Sequence, residues 1–324
     1  MNNVSGISVG EAVALMEQDA PSDIYRIIFR ADAVREKYCG NKISTCAIIN
    51  AKSGNCGENC AFCPQSVFAQ SKIEKYPLKS SDALVEAALK AEADHAHCFG
   101  IVTSGRKVCE RAEQNAICDA VRRISSRNKI GVCASMGTID ADFMARLREA
   151  GLQRYHHNLE ASESFYPEIC TTRTFADNVA TLKLAKANGM TVCSGCLFGI
   201  GESNAQRVEL LNALRELEIT SVPLNFLNPL PGTRLDGKVA PLTALECLKI
   251  IAVARLMMPS SQLRVCGGRE KNMRDMQSWI FAAGANALMI GSYLTTGGRN
   301  IESDLRMIRD AGMEIDPDGG CGGN

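Results

Sequence analysis

The sequence lacks an excess of charge of either sign, because its 36 Lys and Arg residues balance its 36 Asp and Glu residues. Such a chain has no overall electrostatic field with which to bind nucleic acid or an anionic membrane surface. It also lacks the run of roughly 20 apolar residues that a membrane-spanning helix needs, and residues 1–20 lack the apolar stretch of an export signal. We therefore expect a cytoplasmic protein with no nucleic-acid or membrane partner, acting on a small uncharged or zwitterionic molecule.

Cysteine, by contrast, is abundant, at 15 of 324 residues. In a short secreted chain so many cysteines would predict disulfide bonds, but a chain of this length can bury a large core without cross-links. Because no export signal is present, metal, sulfur or redox chemistry is the better interpretation.

A Pro- or Gly-rich linker is also absent, and short β-rich apolar runs alternate with amphipathic stretches throughout the chain. This regular alternation predicts an α/β fold of the (β/α)8 TIM-barrel type rather than an open doubly wound sheet. The eight predicted strands are Thr45–Asn50, Cys98–Thr103, Ile130–Ser135, Arg154–Asn158, Thr191–Phe198, Ser221–Phe226, Gln262–Cys266 and Ala287–Ile290.

The predicted barrel occupies residues 45–312. Residues 1–44 are expected to form an N-terminal helical extension, with two helices within Val9–Lys37 that cover the bottom or an edge of the barrel. Residues 313–324 are rich in Gly and Asp and have no packing residues, so they predict a flexible C-terminal tail.

A group of three cysteines, Cys56, Cys60 and Cys63, follows the first predicted strand. This position lies at the rim where barrel enzymes build their active sites. Three thiolates can hold one face of a [4Fe-4S] cluster and leave its fourth iron open to a substrate, because no fourth cysteine lies nearby in the sequence. The alternatives are a zinc site, which would normally use four ligands, and ordinary buried cysteines, which do not suit a polar Gly and Asn loop.

The Cys-x3-Cys-x2-Cys loop resembles the signature of the radical S-adenosylmethionine superfamily. The resemblance implies that the methionyl amine and carboxylate of S-adenosylmethionine bind the open iron. It further implies that an electron from the cluster cleaves the cofactor to a 5′-deoxyadenosyl radical. In that superfamily an aromatic residue before the last cysteine lies near the adenine, and here this residue is Phe62.

A second resemblance, to the biotin synthase family, covers the chain from about Ile24 to Asp310. It implies a sulfurtransferase that converts dethiobiotin to biotin, with the sulfur supplied by an auxiliary iron-sulfur cluster, of the [2Fe-2S] type in the usual family. The matching runs are Ser53–Ser66, Ile73–Leu78, His157–Glu160, Thr171–Thr174, Val192–Gly195, Val222–Leu227, Arg264–Glu270 and Tyr293–Thr296.

The resemblance places three auxiliary-cluster ligands on predicted strands, at Cys133, Cys193 and Arg264. At the fourth position the chain departs from the family. Gly100 stands where the family has cysteine, and Cys98 lies two residues upstream on the same strand face. That displacement moves the thiol by about 6.6 Å along the strand.

A new cysteine, Cys266, replaces the usual serine on the face of the strand that carries Arg264. Our hypothesis is a larger or differently ligated auxiliary cluster bound by Cys98, Cys133, Cys193 and Cys266, with Cys196 in reserve. The alternative for any one of these positions is that cysteine is a small core residue.

Polar residues near other strand ends complete the predicted site. By resemblance, Asn158 contacts S-adenosylmethionine and substrate, Glu160 replaces an aspartate at the ribose hydroxyls, and Asn225 binds the ureido ring. His156 replaces an asparagine at the ureido group and could instead have a structural role. Arg173 could pair with a carboxylate of the cofactor or substrate, or be a surface residue.

Two other kinds of protein share parts of this pattern. A barrel radical enzyme, such as a hydrogenase maturase or a methylornithine synthase, shares the cysteine triad but not the run around Arg264. A non-catalytic iron-sulfur scaffold would bind iron without cleaving S-adenosylmethionine. The biotin synthase resemblance further implies a homodimer and a reductant such as flavodoxin or ferredoxin.

Overall fold

Parallel strands close into a barrel in the computed structural model, which describes residues 5–127 and 129–316. Neighbouring strands are hydrogen-bonded to one another, and the strand Ala287–Met289 returns to pair with Lys42–Lys52, which closes the barrel. The strands are β1 Lys42–Lys52, β2 Cys98–Thr103, β3 Gly131–Ser135, β4 Arg154–His156, β5 Thr191–Cys193, β6 Cys196–Phe198, β7 Ser221–Phe226, β8 Gln262–Val265, β9 Ala287–Met289 and β10 Glu314–Ile315. The predicted (β/α)8 barrel is therefore confirmed.

The largest difference from the predicted strands is that Thr191–Phe198 is split into β5 and β6, whereas other strand ends shift by at most three residues. The break lies at Gly195, where a Cβ atom would stand 1.9 Å from the carbonyl oxygen of Pro223. A residue with a side chain could not approach β7 so closely. Its amide donates instead to the Oδ1 atom of Asn158, 3.0 Å away, so the break is tied to the predicted site.

Helices follow the strands and pack their apolar faces on the outside of the barrel. Ser80, Asp140 and Thr174 cap helix N-termini with their side chains, as local sequence favours. The helices are α1 Val9–Met16, α2 Pro21–Cys39, α3 Ser81–Ala93, α4 Arg111–Ser125, α5 Ala141–Glu149, α6 Tyr166–Ile169, α7 Phe175–Ala187, α8 Asn204–Glu216, α9 Ala244–Met257, α10 Arg269–Met273, α11 Trp279–Ala282 and α12 Ile301–Asp310, with a 3-10 turn at Arg274–Met276. In the described part of the chain, no helix combines the length and apolar character needed to cross a membrane.

The two N-terminal helices pack beside the barrel, α1 against α8 and α9, and α2 against α9. The buried ammonium of Lys249 on α9 donates to the carbonyl oxygens of Met16 and Gln18 at 2.7 and 2.9 Å. These bonds satisfy carbonyl groups at the end of α1 that have no partner within the helix. At the other end of the chain, β10 pairs with Lys42 and Ile43, so two residues of the segment predicted as a tail form a strand. Residues 317–324 of that segment lie outside the described residues.

Candidate functional site

A cavity of about 410 Å³ extends from the carboxyl ends of the strands into the barrel. Alternate residues of each strand point inward, so positions far apart in the sequence line a common wall. Apart from the reserve candidate Cys196, every residue predicted for the site lines this cavity: Cys56, Cys60, Phe62, Cys63, Cys98, Cys133, His156, Asn158, Glu160, Arg173, Cys193, Asn225, Arg264 and Cys266.

The cysteine triad lies at the mouth of the cavity on the loop that leaves β1. Backbone hydrogen bonds brace the loop, since the Cys56 amide donates to the Gln65 carbonyl at 3.0 Å and the Val67 amide to the Cys56 carbonyl at 2.8 Å. The turn begins at Gly54, whose φ of 77° favours glycine. This bracing holds the triad as one unit facing the interior.

Three thiols on one short loop suit an iron-sulfur cluster, because in a cubane each thiolate binds a different iron. Within residues 5–127 and 129–316, no three His, Cys, Asp or Glu side chains converge as the ligands of one ion would. The Arg173 guanidinium lies 3.9 Å from the Cys60 sulfur and supplies positive charge beside it.

A chain of buried hydrogen bonds holds Arg173 in this position. Its Nε atom donates to the Tyr166 hydroxyl at 3.1 Å, and Asn178 donates to the same hydroxyl at 3.0 Å. Asn178 in turn accepts from His157 at 2.9 Å. Burial, reinforced by the charge of Arg173, lowers the pKa of His157 to about 3, so its ring is neutral. Arg173 is thus a supported cavity residue rather than a surface arginine.

Asn158 and Glu160 lie beyond the end of β4, and each is hydrogen-bonded to its surroundings. The Asn158 Nδ2 atom lies 3.3 Å from both carboxylate oxygens of Glu160. Glu160 has a φ of 67°, which turns the chain back toward β6. Burial raises the pKa of Glu160, whereas Arg173 and His156 oppose that shift.

Asn225 and His156 occupy different depths of the cavity. Asn225 at the end of β7 accepts from the Gly267 amide and donates to the Cys196 carbonyl, both at 3.1 Å. His156 hydrogen-bonds to Cys193, which β-sheet register places opposite it. Burial would raise the pKa of Cys193, but His156 and two arginines lower it to about 6, which favours a thiolate.

Deeper in the barrel, two guanidinium groups and several thiols share the interior. Arg154 and Arg264 approach the Ser221 hydroxyl at 3.4 and 3.3 Å, and that hydroxyl lies 3.5 Å from the Cys193 sulfur. Each arginine is only 4% exposed, and each has a buried Nε atom with no hydrogen-bond partner in the described part of the chain. Orphaned buried donors of this kind fit a bound anionic group, and an iron-sulfur cluster with thiolate ligands is one.

Sequence analysis missed Arg154 and Cys46, which both line the cavity. Arg154 lies two residues before His156 on β4, so strand periodicity could have identified it as inward-facing. Cys46 lies on β1 directly opposite Cys98. The reserve candidate Cys196 is buried on β6 among core residues and does not line the cavity.

The chain matches two family descriptions: "Radical SAM superfamily" over residues 51–214 and "Biotin and Thiamin Synthesis associated domain" over residues 223–314. A biotin synthase of Geobacter metallireducens is 50% identical, with 97% of this chain and 94% of the relative covered. A biotin synthase of Citrifermentans bemidjiense is 48% identical, with 96% and 94% covered. Among solved structures, a methylornithine synthase has a TM-score of 0.83 at 21% identity, covering 97% of this chain and 95% of that one, and shares the fold.

Proposed function

The chain belongs to the biotin synthase family of radical S-adenosylmethionine enzymes, and from this premise we propose a role for each part of the cavity. The reaction of the family inserts sulfur into dethiobiotin to form biotin. The observation that carries the assignment is that one cavity joins a cysteine triad at its mouth to a layer of cysteine and arginine in its interior. Both groups can therefore face one substrate without exposing it to solvent.

At the mouth, Cys56, Cys60 and Cys63 bind the [4Fe-4S] cluster. When bound, this cluster supplies the electron that cleaves S-adenosylmethionine. Arg173 stabilises the negative charge of the Cys60 thiolate, because its guanidinium is held 3.9 Å away by Tyr166.

S-adenosylmethionine lies across the rim in this proposal. Phe62 packs near the adenine, Glu160 accepts from the ribose hydroxyls, and Arg173 also meets the methionyl carboxylate. Asn158 orients Glu160 through its Nδ2 atom and contacts both cofactor and substrate. These contacts exclude water around the reacting carbon atoms.

Dethiobiotin binds between the two cysteine groups. Asn225 and His156 face the ureido ring, with Asn158 at its edge. Because Asn225 is tied to the backbone at both its amide atoms, its orientation is set before the substrate arrives. This rigidity favours one binding geometry.

In the interior, Cys98, Cys133, Cys193, Cys266 and Arg264 bind the auxiliary iron-sulfur cluster, which supplies the inserted sulfur when bound. Gly100, at the position where the family has cysteine, pairs with Ile48 and Cys133, and a Cβ atom there would lie 3.0 Å from the Ile48 side chain. The additional thiol of Cys266 supports a cluster larger than the usual [2Fe-2S] type.

The reaction also needs an electron donor, which we propose to be a flavodoxin or ferredoxin. We propose a cytoplasmic location and a homodimer, on the basis of the family and of a neutral chain with 36 charges of each sign. Size-exclusion chromatography with light scattering of the cluster-loaded protein tests the dimer, and a monomer at micromolar concentration would contradict it.

The deciding experiment is anaerobic incubation of the reconstituted protein with dithionite, S-adenosylmethionine and dethiobiotin, followed by mass spectrometry. We expect 5′-deoxyadenosine and biotin from the wild type, neither product from Cys60→Ala, and 5′-deoxyadenosine without biotin from Cys133→Ala. Cys118→Ala is the matched control, because Cys118 is buried on α4 outside the cavity. A wild type that forms 5′-deoxyadenosine but no biotin would indicate a different radical enzyme, and one that forms neither would indicate a scaffold.

A further inference from the structure

Cys46 is an interior thiol to which the proposed roles above assign no function. It lies on β1, is 7% exposed, and lines the same cavity as the auxiliary-cluster residues. Its buried neighbours are Cys98 and Cys133, with Met289 packed against them. This group is separate from the main apolar core of the barrel, so Cys46 does not serve that core as a small hydrophobic residue.

The register of the first two strands places Cys46 level with Cys98. Directly paired residues on neighbouring strands are about 4.8 Å apart and point to the same face of the sheet. At the position of Gly100 the neighbour on β1 is Ile48, so a cysteine there would be level with an apolar side chain. The two-residue displacement of Cys98 therefore moves it away from Ile48 and beside Cys46.

Cys266 approaches the same level from the other side of β1. Arg264 on β8 pairs with Ala287 on β9, and Ala287 pairs with Ser44 on β1. Two residues further along β9 and β1, Met289 pairs with Cys46. Two residues further along each strand, Cys266 is thus level with Met289 and Cys46.

Adding a thiolate to a buried site requires compensating positive charge. Arg154 and Arg264 are almost fully buried and line the same cavity as Cys46. Their unpaired Nε atoms leave each guanidinium with a donor still to be satisfied. The interior therefore contains two fixed cations where sequence comparison pointed to Arg264 alone.

We propose that Cys46 is a further ligand of the auxiliary iron-sulfur cluster, in addition to the cysteines and the arginine proposed above. This inference rests on the proposed function, because it assumes that the interior layer binds a cluster. It assigns β1 to both metal sites: Cys46 within the strand holds the interior cluster, and the loop after the strand holds the cluster at the mouth. Arg154 balances the charge of the additional thiolate.

The test uses full-length protein in which Cys56, Cys60 and Cys63 are all replaced by Ala, so that only the auxiliary site can hold a cluster. This protein, its Cys46→Ser derivative and its Cys247→Ser derivative are reconstituted anaerobically with 57Fe and sulfide. Cys247 is the matched control, because it is a fully buried thiol on α9 outside the cavity. Iron and sulfide per chain and Mössbauer spectra are measured on the folded fraction from size-exclusion chromatography.

We expect Cys46→Ser to lose about half or more of the auxiliary iron, or to shift the Mössbauer quadrupole splitting as oxygen replaces sulfur on one iron, whereas Cys247→Ser matches the parent. Cys46→Ala provides the same comparison if the serine derivative does not fold. Iron content and spectra identical in Cys46→Ser and Cys247→Ser would overturn the role of Cys46. A parent protein that binds no iron would instead overturn the proposed auxiliary site.

Discussion

The ion pair of Arg269 and Asp304 lies behind the cavity wall and allows a sharp test of how the site is supported. Arg269 begins α10 directly after Gly268, and its Nη1 and Nη2 atoms donate to the two Asp304 oxygens at 3.0 and 2.9 Å. The side chains are 1% and 0% exposed. Replacing Asp304 by Leu would leave a buried guanidinium without its principal partner, which costs roughly 3–5 kcal/mol in such pairs.

A neighbouring carboxylate narrows the expected loss in the free energy of unfolding. Glu270 lies 3.4 Å from the Arg269 guanidinium and is 30% exposed, so it retains part of the charge compensation. We therefore expect Asp304→Leu to lower the free energy of unfolding by about 3 kcal/mol, at the lower end of the range. The double variant Arg269→Met with Asp304→Leu replaces both charges by apolar groups and should lie within about 1 kcal/mol of wild type.

The assay is urea unfolding of the cluster-free protein under anaerobic reducing conditions, followed by circular dichroism, with the denaturant slope compared between variants. A slope that stays constant assigns the change to stability rather than to a different unfolded state. The reasoning is refuted if Asp304→Leu changes the free energy by less than about 1 kcal/mol, or if the double variant is as unstable as the single one.

Three further predictions concern residues that line or support the cavity. Burial holds the pKa of His157 at about 3, whereas its ordinary value is about 6.5. As pH falls below 6.5, only the unfolded chain takes up this proton, so the free energy of unfolding should decline from pH 6.5 to 3 by up to about 5 kcal/mol. Urea titrations of His157→Gln should show a shallower decline. Gly268→Ala would place a Cβ atom 1.7 Å from the Phe226 carbonyl oxygen, at a φ of 80°. Thermal unfolding should therefore show a free energy of unfolding lower by about 2–5 kcal/mol. Gly297→Ala is the control, because the added Cβ atom meets nothing within 4 Å. Arg173→Lys loses the bond from Nε to Tyr166 and should raise the KM for S-adenosylmethionine about tenfold while the iron content stays constant; an unchanged KM would contradict its role at the cofactor.

Local features of the sequence account for the parts of this protein that were predicted well. Strands such as Cys98–Thr103 and Ser221–Phe226 have the predicted bounds, because turn residues and apolar runs mark them in the chain itself. The position of Cys56, Cys60 and Cys63 at the cavity is similarly local, because the three cysteines share one short loop after the first strand.

Features that depend on contacts between distant strands were not accessible in this way. The break at Gly195 results from its close approach to the Pro223 carbonyl group on β7, and no local sequence pattern predicts it. The hydrogen bonds from His157 through Asn178 and Tyr166 to Arg173 likewise join residues that strand alternation alone does not relate.

The sequence by itself determined the barrel, the cysteine loop at its mouth and the family, because each follows from periodicity or from residues adjacent in the chain. Only the tertiary structure placed Cys46 beside Cys98 and two buried guanidinium groups in the same interior. Strand register decides which thiols are level, and register is set when the whole sheet closes and its helices pack against it. The composition of the interior layer is therefore a property of the closed barrel.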